Sequence, residues 1–427
     1  MFDRDSQAEQ AILVHVYFPQ EHACEDLHEL QMLVSSAGVS EVAVVTCNRS
    51  TVDAKLFVGS GKAQEIAQAV AAIGAQVVIF NHALSPAQTR NLELLFQCRV
   101  IDRTTLILDI FAQRARSYEG KLQVELAQLK HLSSRLIRGF DNERQKGGIG
   151  LRGPGETQLE TDRRLLRDRI AALYQKLDKV GKQREQGRKA RQRAEIPVIS
   201  LVGYTNAGKS TLFNRLTRSE VYAADQLFAT LDPTLRQVRL ADFGQLIFAD
   251  TVGFIRHLPH DLVAAFKSTL QESREADLQL HVIDVADPRI DDNIRQVQLV
   301  LQEIEADGIP QLLVFNKIDL LEQQARIEYN ETGSPVAVYL SARADEGVNL
   351  LLQAITLLLS DSYQRLQLLL PPAAGHWRAR LHQLGAVQQE TFEQDGSCRL
   401  QLALASAQWA RLLKLSAGQL DDFIVST

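Results

Sequence analysis

The residues with the clearest chemical meaning form the run GYTNAGKST, from Gly203 to Thr211. This run follows the apolar stretch VISLV and opens TLFNRL, which has helical spacing. G-x-x-x-x-G-K-S between a strand and a helix predicts a phosphate-binding loop, because its glycines let backbone amides curl around phosphates. Lys209 would neutralise the β- and γ-phosphates of a nucleoside triphosphate, and the Ser210 hydroxyl would coordinate magnesium. The alternative is a chance glycine-rich turn, which the flanking strand and helix disfavour.

A second candidate is the sequence DTVG at residues 250–253, which ends the apolar run QLIFAD. A carboxylate at the tip of that strand would hold magnesium, usually through a water, and the Gly253 amide would meet the γ-phosphate. In isolation D-x-x-G is normally only a turn. Its position at a strand end, downstream of the phosphate-binding loop, favours the nucleotide role for Asp250.

A third candidate, NKID at residues 316–319, follows the apolar run QLLVF and would select the base. Asp319 can accept hydrogen bonds from the ring N–H and exocyclic amine of guanine, an edge that adenine does not present. Lys317 would pack its stem over the base, and Asn316 would tie this loop to the phosphate-binding loop. Ser341-Ala342 would offer a backbone amide to the guanine keto oxygen. Adenine would leave the Asp319 carboxylate without these hydrogen bonds, so the sequence predicts a preference for GTP over ATP.

Two positions near the γ-phosphate leave alternatives open. In YAADQLFATLDPTLR a switch loop should offer a threonine to magnesium and the γ-phosphate, and Thr230 is preferred over Thr234. Phe254 occupies the position of the glutamine that orients water in fast GTPases. Phenylalanine cannot polarise water, so either turnover is slow until a partner completes the site, or another group orients the water. A purely packing role for Phe254 is compatible with both.

The candidate residues divide by role. The candidate catalytic residues are Lys209, Thr230 and Gly253, and the candidate magnesium ligands are Ser210, Thr230 and Asp250. The candidate nucleotide contacts are Gly203, Tyr204, Thr205, Asn206, Ala207, Gly208, Lys209, Ser210, Thr211, Phe228, Ala229, Thr230, Asp250, Thr251, Val252, Gly253, Asn316, Lys317, Asp319, Ser341, Ala342 and Arg343.

Composition narrows the class of protein. The chain of 427 residues has 47 basic and 52 acidic residues, so its net charge of −5 gives no global attraction to nucleic acid or anionic membrane. Its four cysteines form no C-x-x-C pair, which argues against a zinc site or a disulfide framework. The polar start is not a signal peptide, and no apolar run approaches the roughly 18 residues that span a bilayer. We therefore expect a cytoplasmic protein without membrane insertion.

Periodicity divides the chain into four predicted domains. Strand and helix patterns alternate from Ala11 to Phe111, which predicts a parallel α/β layer. Leucines recur every three or four residues on either side of GGIGLRGPG, which predicts an antiparallel helical pair with a glycine-rich tip. Thr157-x-x-Glu160 has the form of a capping box for the second helix. Strands and helices alternate again from Ile196, and a small α+β module ends the chain. The predicted boundaries are 1–115, 116–195, 196–362 and 363–427.

The second predicted helix is strongly basic. Between Thr161 and Ala194 there are 12 basic and only four acidic residues, in a chain that is acidic overall. One interpretation is a solvated helix face, and the other is a contact with RNA phosphates. His257-x-x-His260 could be read as metal-ligand spacing, but without an accompanying carboxylate motif a loop role is preferred.

Long runs outside these motifs resemble the HflX family of translational GTPases. They include VGSGK, ALSPAQTRNLE, VIDRTTLILDIFAQRA, LQVELAQL and GGIGLRGPGETQLETDRR, and FATLDPT and DTVGFI also have the family's form. The resemblance covers essentially the whole chain. It implies an N-terminal α/β domain, a helical linker pair, a Ras-like G domain and a small C-terminal α+β domain.

The resemblance also implies function. It predicts a Mg²⁺-dependent GTPase that converts GTP to GDP and binds the large ribosomal subunit and its RNA as a monomer. Its role would be to dissociate or rescue stalled ribosomes under stress, from the cytoplasm or peripherally at a membrane, and without DNA. Some members also bind ATP through the N-terminal domain, which GSGK at Gly59–Lys62 does not by itself predict. The rival interpretations are a signalling or adaptor GTPase with a protein or membrane partner, and an RNA-processing enzyme.

Overall fold

The computed structural model describes residues 9–19, 25–140, 154–194, 196–218, 226–240, 243–256, 270–360, 363–416 and 418–425. The chain forms two compact units. The first unit comprises Met1–Gly181, Ala224–Asp232 and Arg256–Ser268. The second unit comprises Lys182–Ala223, Pro233–Ile255 and Thr269–Thr427.

A four-stranded parallel sheet in the order β2-β1-β3-β4 forms the centre of the first unit. Its core is apolar, with Ile12, Val14, Val78 and Phe80 fully buried. Helices follow the strands because each strand's apolar face must be covered, and the predicted strand–helix alternation is confirmed. The elements are β1 (Gln10–Tyr17), α1 (Glu25–Ser36), β2 (Ser40–Asn48), α2 (Ser60–Ile73), β3 (Val77–Phe80), α3 (Pro86–Phe96), β4 (Arg99–Asp102) and α4 (Arg103–Arg114).

The helical pair consists of α5 (Tyr118–Phe140) and α6 (Pro154–Ala194). The predicted leucine seam is present, because Leu122 and Leu126 of α5 form one buried cluster with Leu173 of α6. The predicted capping box is wrong. The second helix begins at Pro154, so Thr157 already lies within its first turn, and the start is set by a proline that fits the first helical position. Most of the glycine-rich tip, residues 147–153, lies outside the described residues, as do His257 and His260.

A seven-stranded sheet in the order β10-β11-β9-β8-β5-β7-β6 forms the main part of the second unit. Its five inner strands are parallel, whereas the edge strands β10 and β6 pair antiparallel. The elements are β5 (Val198–Val202), α7 (Lys209–Thr217), β6 (Thr234–Leu240), β7 (Gly244–Asp250), α8 (Gln271–Arg274), β8 (Leu278–Asp284), α9 (Ile290–Glu303), β9 (Gln311–Asn316), β10 (Arg326–Tyr329), β11 (Pro335–Tyr339) and α10 (Val348–Ser360).

The chain ends in a small antiparallel sheet of order β12-β14-β13 with two helices. The sequence predicted only the two strands around Asp395-Gly396, and the structure adds β12 before them. The sequence analysis did not predict β12, although the polar run SDSYQR separates the apolar residues of this strand from those of α10. The elements are β12 (Tyr363–Leu370), α11 (Gly375–Gln383), β13 (Val387–Phe392), β14 (Cys398–Ala405) and α12 (Ser406–Leu415). Within the described part of the chain, no helix combines the length and apolar character that crossing a membrane requires.

Candidate nucleotide-binding site

The predicted phosphate-binding loop connects the end of β5 to the start of α7 and is held in a strained, tightly packed conformation. Gly203 has φ 148°, and a Cβ there would lie 2.2 Å from the Val282 carbonyl oxygen. Gly208 has φ 90°, and a Cβ there would lie 2.3 Å from Nδ2 of Asn316. Both positions therefore require glycine, for close backbone approach as well as for φ. The loop delivers its backbone to the start of a helix, where amides and the helix dipole favour anions.

Lys209 folds back over this loop. Its ammonium donates to the carbonyl oxygens of Gly203 (3.0 Å) and Tyr204 (2.7 Å). Burial lowers the pKa of Lys209 to about 8, and the nearby Asp250 carboxylate opposes this shift. A buried cation with one nearby carboxylate is a strong receptor for further negative charge. The arrangement suits a nucleotide phosphate.

Asp250 ends β7 beside the loop, as predicted. The parallel pairing of β5 with β7 places Leu201 opposite Asp250, which is fully buried. The Ser210 hydroxyl donates to Oδ2 of Asp250 at 2.8 Å, and the Thr251 hydroxyl donates to the Leu201 carbonyl at 2.6 Å. The structure thus brings a hydroxyl and a carboxylate oxygen together, and oxygen ligands of this kind suit Mg²⁺.

The chain after Asp250 continues along the phosphate-binding loop. The Phe254 amide donates to the Gly203 carbonyl (3.1 Å), and the Thr205 amide donates to the Phe254 carbonyl (2.7 Å). Phe254 is only 1 % exposed, so its ring belongs to the core. A Cβ on Gly253 would lie 2.8 Å from Cγ2 of Thr205 and 3.0 Å from Nζ of Lys209. Gly253 is therefore in direct contact with the phosphate-binding loop.

Asn316 links three loops by its side-chain amide. Its Nδ2 donates to the Ala207 carbonyl at 2.8 Å, and its Oδ1 accepts from the Ala342 amide at 2.9 Å. The residue is 2 % exposed, so both bonds are shielded from water. The tie between the NKID loop and the phosphate-binding loop was predicted, and the second tie to Ala342 accompanies it. This side chain fixes the phosphate and base regions relative to each other.

Lys317 and Asp319 remain accessible for a base. Lys317 has φ 69°, and its ammonium pairs with Asp284 at 2.7 Å. Asp319 is exposed beside it, in a short 3-10 turn. Sequence reasoning missed the pairing carboxylate of Asp284. It also missed Arg215 of α7, which donates to the carbonyls of Ala342 and Arg343 at 3.1 and 3.0 Å. The only sequence signal for either residue is its position at a strand end or helix end.

The predicted switch residues belong to a different part of the structure. Phe228, Ala229 and Thr230 lie in the segment Ala224–Asp232 of the first unit, whereas the other predicted contacts lie in the second unit. Thr234, the alternative switch threonine, begins β6 and pairs with Asp250 in the antiparallel register. The choice of Thr230 over Thr234 stays a prediction.

The switch segment 224–232 is built into the first unit by several contacts. Phe228 packs edge-on against Phe111 of α4, with ring centroids 4.6 Å apart. The Asp232 carboxylate accepts from the amides of Arg116 and Ser117 (2.9 and 2.8 Å) and from the Ser117 hydroxyl (2.5 Å). Ser117 is the cap of α5, because its hydroxyl oxygen accepts from the Gly120 amide at 2.8 Å, and Asp232 holds this capping residue in place although the two are far apart in sequence. Sequence reasoning missed this role, for which Asp232-Pro233 gave no local signal.

The parallel sheet with a phosphate-binding loop, an aspartate on the neighbouring strand and an N-K-x-D loop two strands away defines the class of P-loop GTPases. Three family models match the chain in order: "GTP-binding GTPase N-terminal" over residues 24–112, "GTP-binding GTPase Middle Region" over 114–191, and "50S ribosome-binding GTPase" over 198–317.

Individual relatives agree with this class over the full length. The chain is 61% identical to GTPase HflX of Escherichia coli K12, covering 99% of this chain and 100% of the relative. It is 44% identical to GTPase HflX of Magnetococcus marinus, covering 96% of each. The chain therefore belongs to the GTPase HflX family, and it is an enzyme that binds and hydrolyses GTP. Among solved structures, the SsGBP–GDP complex is 25% identical, with a TM-score of 0.48 over 83% of this chain and 99% of that chain.

Proposed function

We propose that this GTPase acts on the large ribosomal subunit, docks on ribosomal RNA through its basic helical arm, and dissociates or rescues stalled ribosomes. The arm is the pair α5 and α6. The observation that carries the proposal is the exposed basic face of α6, on a chain whose G domain matches a ribosome-binding GTPase family. Its described exposed members are Arg164, Arg167, Arg169, Lys176, Lys179 and Lys182.

The distribution of charge favours RNA over a purely solvated face. The leucine seam occupies the side of α6 that meets α5, and six basic side chains of α6 are exposed to solvent. Arg169 has an ion pair across to α5, with Glu125 at 2.5 Å. Phosphate contacts made by such side chains release counterions, so binding through this face falls steeply with salt.

Turnover is proposed to be slow in the free protein and stimulated by the ribosome. The fully buried Phe254 supports this proposal, because its ring is committed to the core and offers nothing to water. Ser210 and Asp250 are proposed to hold Mg²⁺, the former directly and the latter through a water, with Thr230 completing the set. When bound, the ion would neutralise charge on the β- and γ-phosphates. The comparisons lend no support to ATP at the N-terminal domain.

The first test measures GTP turnover with and without purified large ribosomal subunits, across a salt series. We expect strong stimulation that decreases with salt and is abolished in Lys209→Ala. Turnover that is unchanged by subunits, in a preparation that hydrolyses GTP, would refute ribosomal activation. That outcome would instead favour the protein-partner interpretation, in which a seam-to-seam contact is insensitive to salt.

A matched pair of variants tests the arm itself. The triple change Arg164→Glu, Arg167→Glu and Lys176→Glu removes three exposed cations and should abolish stimulation while leaving turnover without subunits unchanged. The control neutralises Asp162 and Asp168 on the same helix to asparagine, and should leave stimulation intact or increase it. Equal loss of stimulation in both variants would point to damage to the helix rather than to a charge contact.

A separate measurement tests whether the protein separates the ribosomal subunits. Light scattering of intact ribosomes mixed with the protein and a non-hydrolysable GTP analogue should fall as subunits separate, and should not fall with GDP. Stimulated turnover without any change in scattering would leave ribosome binding in place and refute dissociation.

A further inference from the structure

The fold leaves one task of hydrolysis without an assigned residue. The attacking water must be held in line with the γ-phosphate, and orientation of this kind contributes a large part of the rate of such reactions. The residue after the D-x-x-G glycine is Phe254, which is buried in the core. A polar group that serves the water has to come from a residue close to Gly253 and Lys209.

Thr205 is the polar side chain that the phosphate-binding loop places there. Its Cα and Cγ2 both lie within 3 Å of the position that a Cβ on Gly253 would take, at 2.9 and 2.8 Å. Nζ of Lys209 lies 3.0 Å from the same point. A hydrogen bond from the Thr205 backbone amide to the Phe254 carbonyl holds Thr205 in place. The three residues Thr205, Gly253 and Lys209 therefore surround one small volume beside the phosphate-binding loop.

The hydroxyl of Thr205 is buried without a hydrogen-bond partner among the described residues. Thr205 is 7 % exposed. Leaving a hydroxyl in this state costs free energy that a valine of the same shape would avoid. We expect the buried Thr205 hydroxyl to gain a hydrogen-bond partner when the loop binds its ligand. In a GTPase that ligand is GTP, and the attacking water lies beside its γ-phosphate.

We propose that the Thr205 hydroxyl orients the attacking water beside the γ-phosphate, taking the part that Phe254 cannot. The hydroxyl accepts from the water and donates to a γ-phosphate oxygen, so no proton is transferred to the protein. Its γ-methyl rests on Gly253, which fixes the rotation of the side chain. Thr205 thus acts on the hydrolytic step of bound GTP, and this proposal rests on the GTPase activity alone, independent of the ribosomal role.

The test is single-turnover hydrolysis of GTP bound to the full-length protein, with Mg²⁺ and without ribosomes, in Thr205→Val and Thr205→Ser. Valine keeps the methyl contact with Gly253 and removes the hydroxyl. Serine keeps the hydroxyl and removes the methyl. We expect valine to slow the step by about tenfold to a hundredfold, the range of a hydrogen bond to a charged group. GDP affinity should fall by much less than the hydrolysis rate, because GDP has no γ-phosphate, and serine should restore most of the rate.

Three results would overturn the proposal. A valine variant that hydrolyses GTP as fast as wild type would show that the hydroxyl does not contribute to the rate. A valine variant that is faster would show that Thr205 obstructs the water. Valine and serine variants that are slowed equally would assign the effect to packing of the methyl on Gly253. If the valine variant does not fold, the serine variant decides alone: a tenfold or greater loss with intact GDP binding would contradict the assignment.

Discussion

Replacing Asn316 with alanine should weaken GDP binding and lower the stability of the second unit. The change removes the bonds to the Ala207 carbonyl and the Ala342 amide and leaves both groups buried and unsatisfied. At about 1–3 kcal/mol for each buried unsatisfied group, the cost is roughly 2–6 kcal/mol. Because the same two bonds hold the phosphate and base loops in one arrangement, we expect GDP affinity to fall by at least about tenfold.

The assay is isothermal titration with GDP, together with the melting temperature of the nucleotide-free protein. Asn316→Asp is the matched variant, since it has the same shape but turns an oxygen toward the Ala207 carbonyl. It should bind GDP as weakly as the alanine variant or more weakly. Asn330→Ala, in an exposed turn before β11, should leave GDP affinity unchanged. An Asn316→Ala protein with GDP affinity within threefold of wild type would refute the reasoning, as would an aspartate variant that binds normally.

Three further predictions concern other contacts. Asp319→Asn should shift the base preference from GTP toward xanthosine triphosphate, because the keto group of xanthine accepts a hydrogen bond from the new amide. An unchanged preference in competition binding would contradict a contact between Asp319 and guanine. Ion pairing and hydrogen bonding with Arg378 hold the pKa of Glu390 at about 2, so this pair stabilises the fold above pH about 4.5 and stops doing so as pH falls toward 2. Glu390→Gln should therefore lower the melting temperature at pH 7 by more than at pH 3, and an equal difference at both pH values would count against the pair. Asp232→Ala should speed amide hydrogen exchange at Ser117, whereas Asp232→Asn should largely preserve protection.

The parts of the fold that follow a local period could be predicted from sequence. Phosphate-loop glycines, strand-end aspartates and the leucine seam each depend on residues that are close in sequence or regularly spaced. For that reason the second unit's loops meet as expected around Lys209 and Asn316. The parallel pairing of the inner strands follows from the alternation of strands with helices, whereas the strand order does not.

What sequence reasoning missed depends on contacts between distant residues. Asp284 pairs with Lys317 only because β8 and β9 are neighbours in the sheet, with Asp284 opposite Asn316. β12 joins the C-terminal sheet by antiparallel pairing with β14, a segment that is distant in sequence. The capping box at Thr157 was a local pattern that a preceding proline overrode. Local sequence patterns predict individual helices and strands, whereas tertiary packing decides which strands and side chains pair with each other.

The hydrogen bonds of Asp232 make the start of α5 depend on the switch segment. The chain enters this segment from the second unit and returns to it directly afterwards, at Pro233. Loss of the Asp232 contacts would release Ser117, the residue whose hydroxyl caps a helix of 23 residues. Linkage makes this relation reciprocal: a ligand that stabilises the capped start of α5 also stabilises the present position of Asp232, by the same free energy. A contact that orders the arm would therefore also hold the switch segment in place, through the same three hydrogen bonds.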